Sequence, residues 1–264
     1  MSGDVRAVAT GAVRSVEWHW AFYRREWRAN LASSFVQPVL YLLALGVGVG
    51  SLVESGDGAV TVGGSYVAFL GPALLATTAM MLASGESLWP VMSSFRWSRS
   101  FHAAVATRVG AADLAVGHAF WLALRGALAA AMVGVALALF ADTRSWGLLP
   151  AVPVAALCGA ACGMPMAAFA ATREVDSSFS AIQRFVVTPL FLFAGVFYPL
   201  SELPQALQVI GWVTPLWHGV EVCRGLVTGG LGLWTGVGHV MVMALWAGVS
   251  TAIAVGTFAR RLNA

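Results

Sequence analysis

Long apolar runs alternate with short polar segments along the chain, and this alternation predicts six membrane-spanning helices. A helix needs about 20 mostly apolar residues to cross the hydrocarbon core of a bilayer. Runs of suitable length lie at about 32–53, 66–84, 113–140, 148–171, 182–198 and 234–257. We therefore expect an all-α membrane protein in which residues 1–264 form a single transmembrane domain.

The segment before the first apolar run predicts an amphipathic helix at about 14–30. Val16, Trp20, Tyr23 and Trp27 recur at helical spacing and form one apolar, aromatic stripe, although two further aromatic residues fall off it. Such a helix lies along a membrane surface with its tryptophans at the depth of the headgroups. The alternative is a plain helical lead-in to the first span.

A second amphipathic helix is predicted between the second and third spans, at about 87–101. Leu88, Val91, Met92 and Phe95 share one helical face, and a polar face lies opposite. A short helix of this kind either lies on lipid or docks on a soluble partner. Composition does not choose between these two alternatives.

The stretch 199–230 predicts two short helices, with Pro204 near the start of the first and Pro215 in the first turn of the second. Each has roughly 7 to 10 residues, which is too short to cross a bilayer. A seventh span here would place Glu221 and Arg224 in the hydrocarbon, where charges are costly. We expect a re-entrant helical hairpin, covered by protein or lining a wet cavity, with Glu221 and Arg224 paired at i, i+3.

Charge fixes the expected orientation. All 15 basic residues are arginines, and only 10% of the 264 residues are charged while 59% are hydrophobic, as in an integral membrane protein. With six spans, 12 arginines fall on one side against Arg144 and Arg224 on the other. Basic loops stay in the cytoplasm, which predicts cytoplasmic N and C termini. Without lysine the chain has no P-loop, so ATP-derived energy must come from a partner. No basic patch suited to nucleic acid is present.

Two charged residues stand out, one within a span and one at a span's end. Arg125 lies about 12 residues into the third span, where burying its charge costs at least about 2.5 kcal/mol, so a partner or water is expected. His118 and Trp121 share its helical face. Glu86 sits where the second span ends and is interpreted as a hinge or an inter-helix salt bridge. We favour a buried structural pair at Arg125 over a substrate site, with a wet cavity as the alternative.

Catalytic chemistry is poorly supported. No His, Cys, Asp or Glu set has the spacing of a metal site, and no protease or hydrolase signature occurs. His218 is interpreted as an interfacial histidine rather than a ligand. We predict no catalytic residue and no metal site.

Four segments carry a family resemblance. They are YVAFLGPALLATTAMMLASGES (66–87), LWPVMSSFRWSRSFHAAVAT (88–107), GHAFWLALRG (117–126) and PLFLFAGVFYPLSELPQALQVIGWVTPLWHGVEVCRGL (189–226). With the predicted topology, they make the chain resemble ABC-2-type export permeases, in particular those of nodulation-factor and daunorubicin-resistance exporters. The chain departs from the pattern at Thr107-Arg108, where relatives often have Thr-Pro.

The resemblance implies a permease without a cofactor of its own, because ATP and Mg are bound by a separate ABC ATPase subunit. It also implies a second permease copy, as a homodimer or as a heterodimer of related permeases, and contact with membrane lipids in a bacterial cell membrane. The implied substrate is a hydrophobic or amphiphilic molecule such as a lipid, a lipo-oligosaccharide or a drug. The implied ATPase contact comprises Leu88, Trp89, Phe95, Arg96, Arg99 and Phe101. The implied outer gate and hairpin comprise Phe197, Tyr198, Pro199, Pro204, Pro215, His218 and Glu221.

Two other classes of protein remain as alternatives. A stand-alone secondary transporter or channel would be expected to carry acidic residues at mid-membrane, whereas Asp and Glu here lie at span ends or in loops. A membrane enzyme lacks support from any motif. A neighbouring gene that encodes a Walker-motif ATPase would favour the exporter over both.

Overall fold

The computed structural model describes residues 2–50 and 65–263. At positions 2–9, 26–35, 37, 47 and 49 it describes the backbone and not the side chains. Within these two ranges the regular structure is helical and no strand occurs. The predicted all-α class is therefore confirmed for the part of the chain that is described.

Ten α-helices and two π-helical segments follow one another along the described residues. The first helix, α1 (Ser2–Tyr41), continues into a π-helical segment at Leu42–Val49. The others are α2 (Tyr66–Arg96), α3 (Ser100–Val105), α4 (Ala111–Leu137), α5 (Leu148–Ala170), α6 (Phe179–Ile182), a π-helical segment (Gln183–Val187), α7 (Thr188–Phe193), α8 (Gln205–Val213), α9 (Pro215–Thr228) and α10 (Leu233–Leu262). Short 3₁₀ turns lie at Ala141–Thr143 and Leu200–Glu202.

Four of the described helices are long and apolar enough to cross a membrane, namely α2, α4, α5 and α10. They cover the runs predicted at 66–84, 113–140, 148–171 and 234–257. The run at 182–198 corresponds to a shorter apolar helix at Phe179–Phe193. The run at 32–53 falls partly outside the described residues. The count of six spans stays a prediction.

The structure joins two elements that were predicted to be separate. Helix α1 runs without a break from the expected surface helix at 14–30 into the expected first span. No proline or glycine interrupts residues 12–37, and the first proline is Pro38, so nothing in the sequence ends the helix earlier.

The face by which α1 contacts the rest of the chain shares Tyr23 with the aromatic stripe that was predicted to lie on the membrane surface, but otherwise differs from it. Ala12, Ser15 and Tyr23 are buried, whereas Trp20 is 40% exposed. The side chain of Trp27 lies outside the described ones. This face is selected by close approach to α4, since a Cβ on Gly117 would lie only 2.5 Å from the Cβ of Ser15. Small residues, rather than the most apolar ones, mark the contact.

Helix α2 is longer than predicted. It continues through Arg96 instead of ending near 84, so the short helix expected at 87–101 is the last part of α2 followed by α3. Leu88, Val91 and Phe95 are buried and extend the apolar face of the same helix, which explains why no break occurs after Gly85.

The core of the protein is built around α2. This helix packs on α4, α5 and α9, and α5 in turn packs on α10. In the most apolar part of α2, 78% of the residues are buried within the chain, against 17% for α10. Helix α10 therefore lies at the periphery and presents an apolar face outward.

Arginines collect at one end of the helix bundle, which we call the basic end. Arg96 closes α2 and Arg261 closes α10. The Arg261 guanidinium donates to the carbonyl oxygens of Ala170 and Ala171 at 3.2 and 2.8 Å, so the carboxyl end of α5 lies at the same end of the bundle.

Candidate functional site

A cavity of about 790 Å³ lies between α1, α2 and α4 and reaches Phe191 of α7. Its walls are rich in aromatic side chains. These are Trp18, Phe22, Tyr23, Tyr41, Trp89, Trp97, Phe101, Trp121 and Phe191. The volume falls within the range of small-molecule sites in proteins.

An ion pair forms part of the cavity wall. Arg125 of α4 is 3% exposed, and its Nη2 and Nε atoms lie 3.0 and 3.2 Å from Oε1 of Glu86 on α2. Trp121 Nε1 donates to the other carboxylate oxygen of Glu86 at 3.4 Å. The guanidinium also lies over the ring of Tyr23, 4.3 Å from its centroid. The expected buried pair is confirmed, and each of the two residues is the other's partner.

Two histidines adjoin this ion pair. His118 is 1% exposed, and within the described part of the chain neither of its ring nitrogens has a hydrogen-bond partner. His19 of α1 stacks on Trp121 with ring centroids 5.2 Å apart and donates from Nδ1 to the Ser15 carbonyl oxygen at 2.7 Å. Burial lowers the pKa of His19, against the opposing effects of the Ser15 carbonyl and the Glu86 charge. This imidazole is therefore neutral near pH 7.

At the basic end, the last residue of α2 and the chain that follows expose a cationic, aromatic surface formed by Arg96, Trp97 and Arg99. Trp97 is 58% exposed, and Arg99 turns the chain with a left-handed backbone conformation (φ 49°). Beneath it, Phe95 packs edge-to-face against Phe258 of α10, with centroids 5.0 Å apart. We call Arg96, Trp97 and Arg99 the basic-end surface.

The buried members of the expected ATPase contact do not belong to this surface. Phe101 packs against Phe95 at 5.0 Å, and Leu88 is fully buried within the core. Trp89 lines the cavity and packs edge-to-face on Phe179. The family resemblance implied that Leu88, Phe95 and Phe101 contact a partner, but α10 and the rest of the chain already cover these side chains. They support the surface instead.

At the opposite end, Arg224 of α9 joins three segments. It donates to the carbonyl oxygens of Phe69 on α2 at 3.1 Å and of Gly195 at 2.8 Å, and it pairs with Glu221 at 2.8 Å. The predicted Glu221–Arg224 pair is confirmed. Nearby, Tyr66 donates to the Phe197 carbonyl oxygen at 3.0 Å. Phe197, Tyr198 and Pro199 are half-buried in the irregular segment between α7 and the turn at Leu200–Glu202.

Side chains satisfy the last carbonyl groups of α8. Thr214 donates to Gly211, His218 to Trp212 and Trp246 to Val213, at 3.0, 2.8 and 3.0 Å. His218 also contacts His239 of α10 through Nδ1 atoms 2.6 Å apart. Pro204 immediately precedes α8 and Pro215 opens α9, as predicted. His218 thus secures the turn between the two short helices.

Sequence reasoning did not single out Trp97, His19, His239 and Trp246. Trp97 lies between two residues of the predicted ATPase contact, Arg96 and Arg99. This position was the signal in the sequence that could have assigned Trp97 to the same surface. His19, His239 and Trp246 act on residues at least 21 positions away, and no local pattern reports such contacts.

Within the described residues, an all-helical fold with four helices long and apolar enough to cross a membrane, together with an aromatic cavity, is typical of membrane transport proteins. A sequence profile of the ABC-2 type transporter family matches residues 15–228. The chain belongs to this family, and it is the membrane subunit of an ABC transporter.

Curated relatives cover nearly the whole chain. Nodulation protein J of Rhizobium meliloti (strain 1021) is 31% identical over 256 residues, which span 93% of this chain and 94% of that protein. Nodulation protein J of Rhizobium leguminosarum bv. viciae is 32% identical over 232 residues, which span 84% of this chain and 86% of that protein. The resemblance to export permeases is confirmed at the level of the family.

Proposed function

We propose that this chain, with a separately encoded ABC ATPase and a second permease copy, exports a hydrophobic or amphiphilic molecule across the bacterial cell membrane. The substrate class comprises lipids, lipo-oligosaccharides and hydrophobic drugs. ATP and Mg are held by the ATPase, and this chain supplies the membrane passage. The match to the ABC-2 type transporter family and the relatives named nodulation protein J support this class of function.

One observation carries the proposal. Helix α2 is continuous over 31 residues, about 46 Å at 1.5 Å per residue. It lines the cavity through Glu86 and Trp89 and ends at the basic-end surface. Because α2 continues through Pro90 to Arg96, a push on Arg96 and Trp97 would reach the cavity wall through one helix. This is the coupling that an ATP-driven transporter requires.

The proposed topology has six spans, with both termini in the cytoplasm and the α8–α9 hairpin dipping into the membrane from outside. The four apolar helices, the arginines of the basic end and the satisfied carbonyls of α8 support it. Phe197, Tyr198 and Pro199 then lie at the outer gate, held against α2 by Tyr66 and Arg224.

Cysteine labelling in intact cells tests the topology. The native Cys158, Cys162 and Cys223 are buried and free, and each is first replaced by Ser or Ala. A single cysteine introduced into this variant then reports the side of the membrane on which it lies. A cysteine at Thr228 should react with an impermeant maleimide, and one at Asn263 should react only after lysis. Labelling of position 263 in intact cells contradicts the proposed orientation.

Co-purification tests the assembly. When the chain is co-expressed with the separately encoded ABC ATPase, a tag on the ATPase should retain the permease in detergent, and the complex should hydrolyse ATP. A stand-alone secondary transporter would purify alone and transport its substrate without ATP.

A further inference from the structure

A second hollow, an apolar groove of about 470 Å³, lies between α5 and α10. We call it the α5–α10 groove. Its lining includes Ala168 and Phe169 of α5, and Trp246, Val249 and Ile253 of α10. Val249 is 50% exposed and Ile253 is 54% exposed, so within the described residues these side chains lack a protein cover. Because lipid tails are as apolar as leucine, hydrocarbon is the environment that suits them in a membrane.

The length of the α5–α10 groove matches one leaflet of a bilayer. Its lining runs along α10 from Leu245 to Thr257, about 18 Å at 1.5 Å per residue. Half of a hydrocarbon core about 30 Å thick is about 15 Å. Thr257 lies in the last two turns of α10, which ends at Leu262 near the basic end. One extended acyl chain can therefore lie in the groove between the membrane surface and the middle of the bilayer.

An arginine from α10 continues the lining of the groove toward the basic end. Arg260 follows Ile253 and Thr257 by seven and three residues, which places it on the same helical face one turn further along. Arg260 is exposed, and in the described part of the chain it forms no ion pair.

A second arginine reaches the same end of the groove from α5. Arg173 directly follows the lining residue Thr172, and its guanidinium lies over the ring of Phe169, 4.3 Å from the centroid. It is exposed and likewise forms no ion pair among the described residues. Arg261 donates to the carbonyl oxygen of Arg173, so the backbone segments that carry Arg173 and Arg260 lie side by side.

The balance of charge at this end of the groove is positive. Arg173, Arg260 and Arg261 are accompanied by Glu174 and Asp176 in the loop that follows α5. The charge of Glu174 acts on Arg261, while Arg173 and Arg260 keep their guanidinium groups available. An anionic group located between these two arginines would interact favourably with both.

We propose that the α5–α10 groove binds one acyl chain of an anionic phospholipid, whose phosphate lies between Arg173 and Arg260. An apolar groove that ends at two arginines complements a hydrocarbon chain joined to a negatively charged head. The lipid is a resident component that fastens α10 to α5, and it is distinct from the exported molecule. With the orientation proposed above it belongs to the cytoplasmic leaflet, whose anionic headgroups attract arginines beside the membrane.

Lipid binding to the full-length permease alone, delipidated in a non-ionic detergent, tests the site by native mass spectrometry. The probes are dioleoylphosphatidylglycerol and dioleoylphosphatidylcholine, which share their acyl chains and differ in net charge. We expect the first phosphatidylglycerol to bind at least about fivefold more tightly, because each arginine near an anionic lipid contributes up to about fivefold. Glycerol 1-phosphate, which carries the phosphate without the chain, should not compete.

Paired arginine variants connect the preference for phosphatidylglycerol to this groove. Arg173→Gln combined with Arg260→Gln should bring the ratio of the two affinities to about one. Arginines are common at the cytoplasmic ends of membrane helices, so the control removes the same charge elsewhere at the basic end. Arg99→Gln combined with Arg108→Gln lies outside the groove and should keep the ratio of the wild-type protein.

A second pair of variants tests the position of the acyl chain. Val249→Trp places a large ring in the groove and should weaken the binding of the first phosphatidylglycerol at least about fivefold. Met241→Trp, at a 67% exposed position of α10 outside the groove, should leave that binding unchanged. Both positions are exposed, so thermal unfolding without added lipid should be the same in the two variants.

Four results would overturn the site: equal affinity for the two lipids, equal loss of preference in both arginine variants, competition by glycerol 1-phosphate, or unchanged binding by Val249→Trp. The proposed function fails separately, because binding is measured without the ATPase. If ATP-driven export is absent while the preference depends on Arg173 and Arg260, the lipid site stands without the exporter. If export proceeds while the preference is missing, the exporter stands without this site.

Discussion

Arg125 and Glu86 pair across two helices with unequal exposure to water. The side chain of Arg125 is 4% exposed and that of Glu86 is 26% exposed, with 3.0 Å between Nη2 and Oε1. Removal of the carboxylate leaves a buried cation alone, whereas removal of the guanidinium leaves a carboxylate that still reaches the cavity. Substitution of Glu86 and substitution of Arg125 should therefore lower the free energy of unfolding by different amounts.

We expect Glu86→Gln to lower the free energy of unfolding by about 3 kcal/mol, and Arg125→Met to lower it by less. The double variant should lose less than the sum of the two. Unfolding of purified protein in mixed micelles, arranged as a double-mutant cycle, measures these differences. If the two single variants lost equal free energies of unfolding and the double variant lost their sum, the two residues would not be coupled.

The contact between α1 and α4 depends on Gly117. Because a Cβ there would lie 2.5 Å from the Cβ of Ser15 and 3.0 Å from the Ala12 carbonyl oxygen, Gly117→Ala must push the helices apart. We expect a loss of about 1–3 kcal/mol in the free energy of unfolding.

Gly248→Ala is the matched control for this contact, since nothing lies within 4 Å of a Cβ at that position of α10. It should leave stability unchanged or raise it by about 0.5–1 kcal/mol. Similar losses in both variants would mean that the response reflects helical glycine in general and not the α1–α4 contact.

The turn between α8 and α9 depends on Trp246. Trp246→Phe keeps an aromatic ring and removes the N–H that donates to the Val213 carbonyl oxygen at 3.0 Å. In a membrane no water replaces that donor, so we expect a loss of about 1–3 kcal/mol. Faster hydrogen exchange of the backbone amides at residues 211–216 would show that the loss of stability arises at this turn. Trp234→Phe, at an 84% exposed position of the same helix, should have no such effect.

The basic-end surface should bind the ATPase. Reversing both charges with Arg96→Glu and Arg99→Glu should reduce co-purification of the ATPase at least about tenfold, because like charges at an interface are strongly unfavourable. Arg144→Glu, in the connection between α4 and α5 at the opposite end, should leave assembly intact. Wild-type assembly by the double variant would place the contact elsewhere.

The sequence predicted the spans at 113–140 and 148–171 to within three residues, because each is a long apolar run bounded by polar turns. It also singled out Arg125, since a charge in an apolar run requires a partner, and Glu86 at the end of the second span, but it did not pair the two residues with each other. His118 and Trp121 follow from helical spacing on the face of Arg125.

The failures share a physical cause. In a chain this apolar, hydrophobic residues face lipid as well as protein, so periodicity does not identify the buried face. The resemblance placed Phe95 and Phe101 at a partner contact, although Phe258 packs on both rings. Trp20 was assigned to a stripe of α1 that lies on the membrane surface, and periodicity alone did not show that Ala12, Ser15 and Tyr23 form the face that packs on the chain. The approach of His19 to Trp121 depends on how α1 crosses α4, which local sequence does not specify.

The most direct test of the account is export by the purified complex. The permease and its ATPase are reconstituted into vesicles, and the movement of a fluorescent amphiphile away from the face that carries the ATPase is followed with and without ATP. The account predicts transport that requires both proteins and hydrolysable ATP, and that is lost with Arg96→Glu and Arg99→Glu together. Transport at the same rate by the permease alone, driven by an ion gradient, would contradict it.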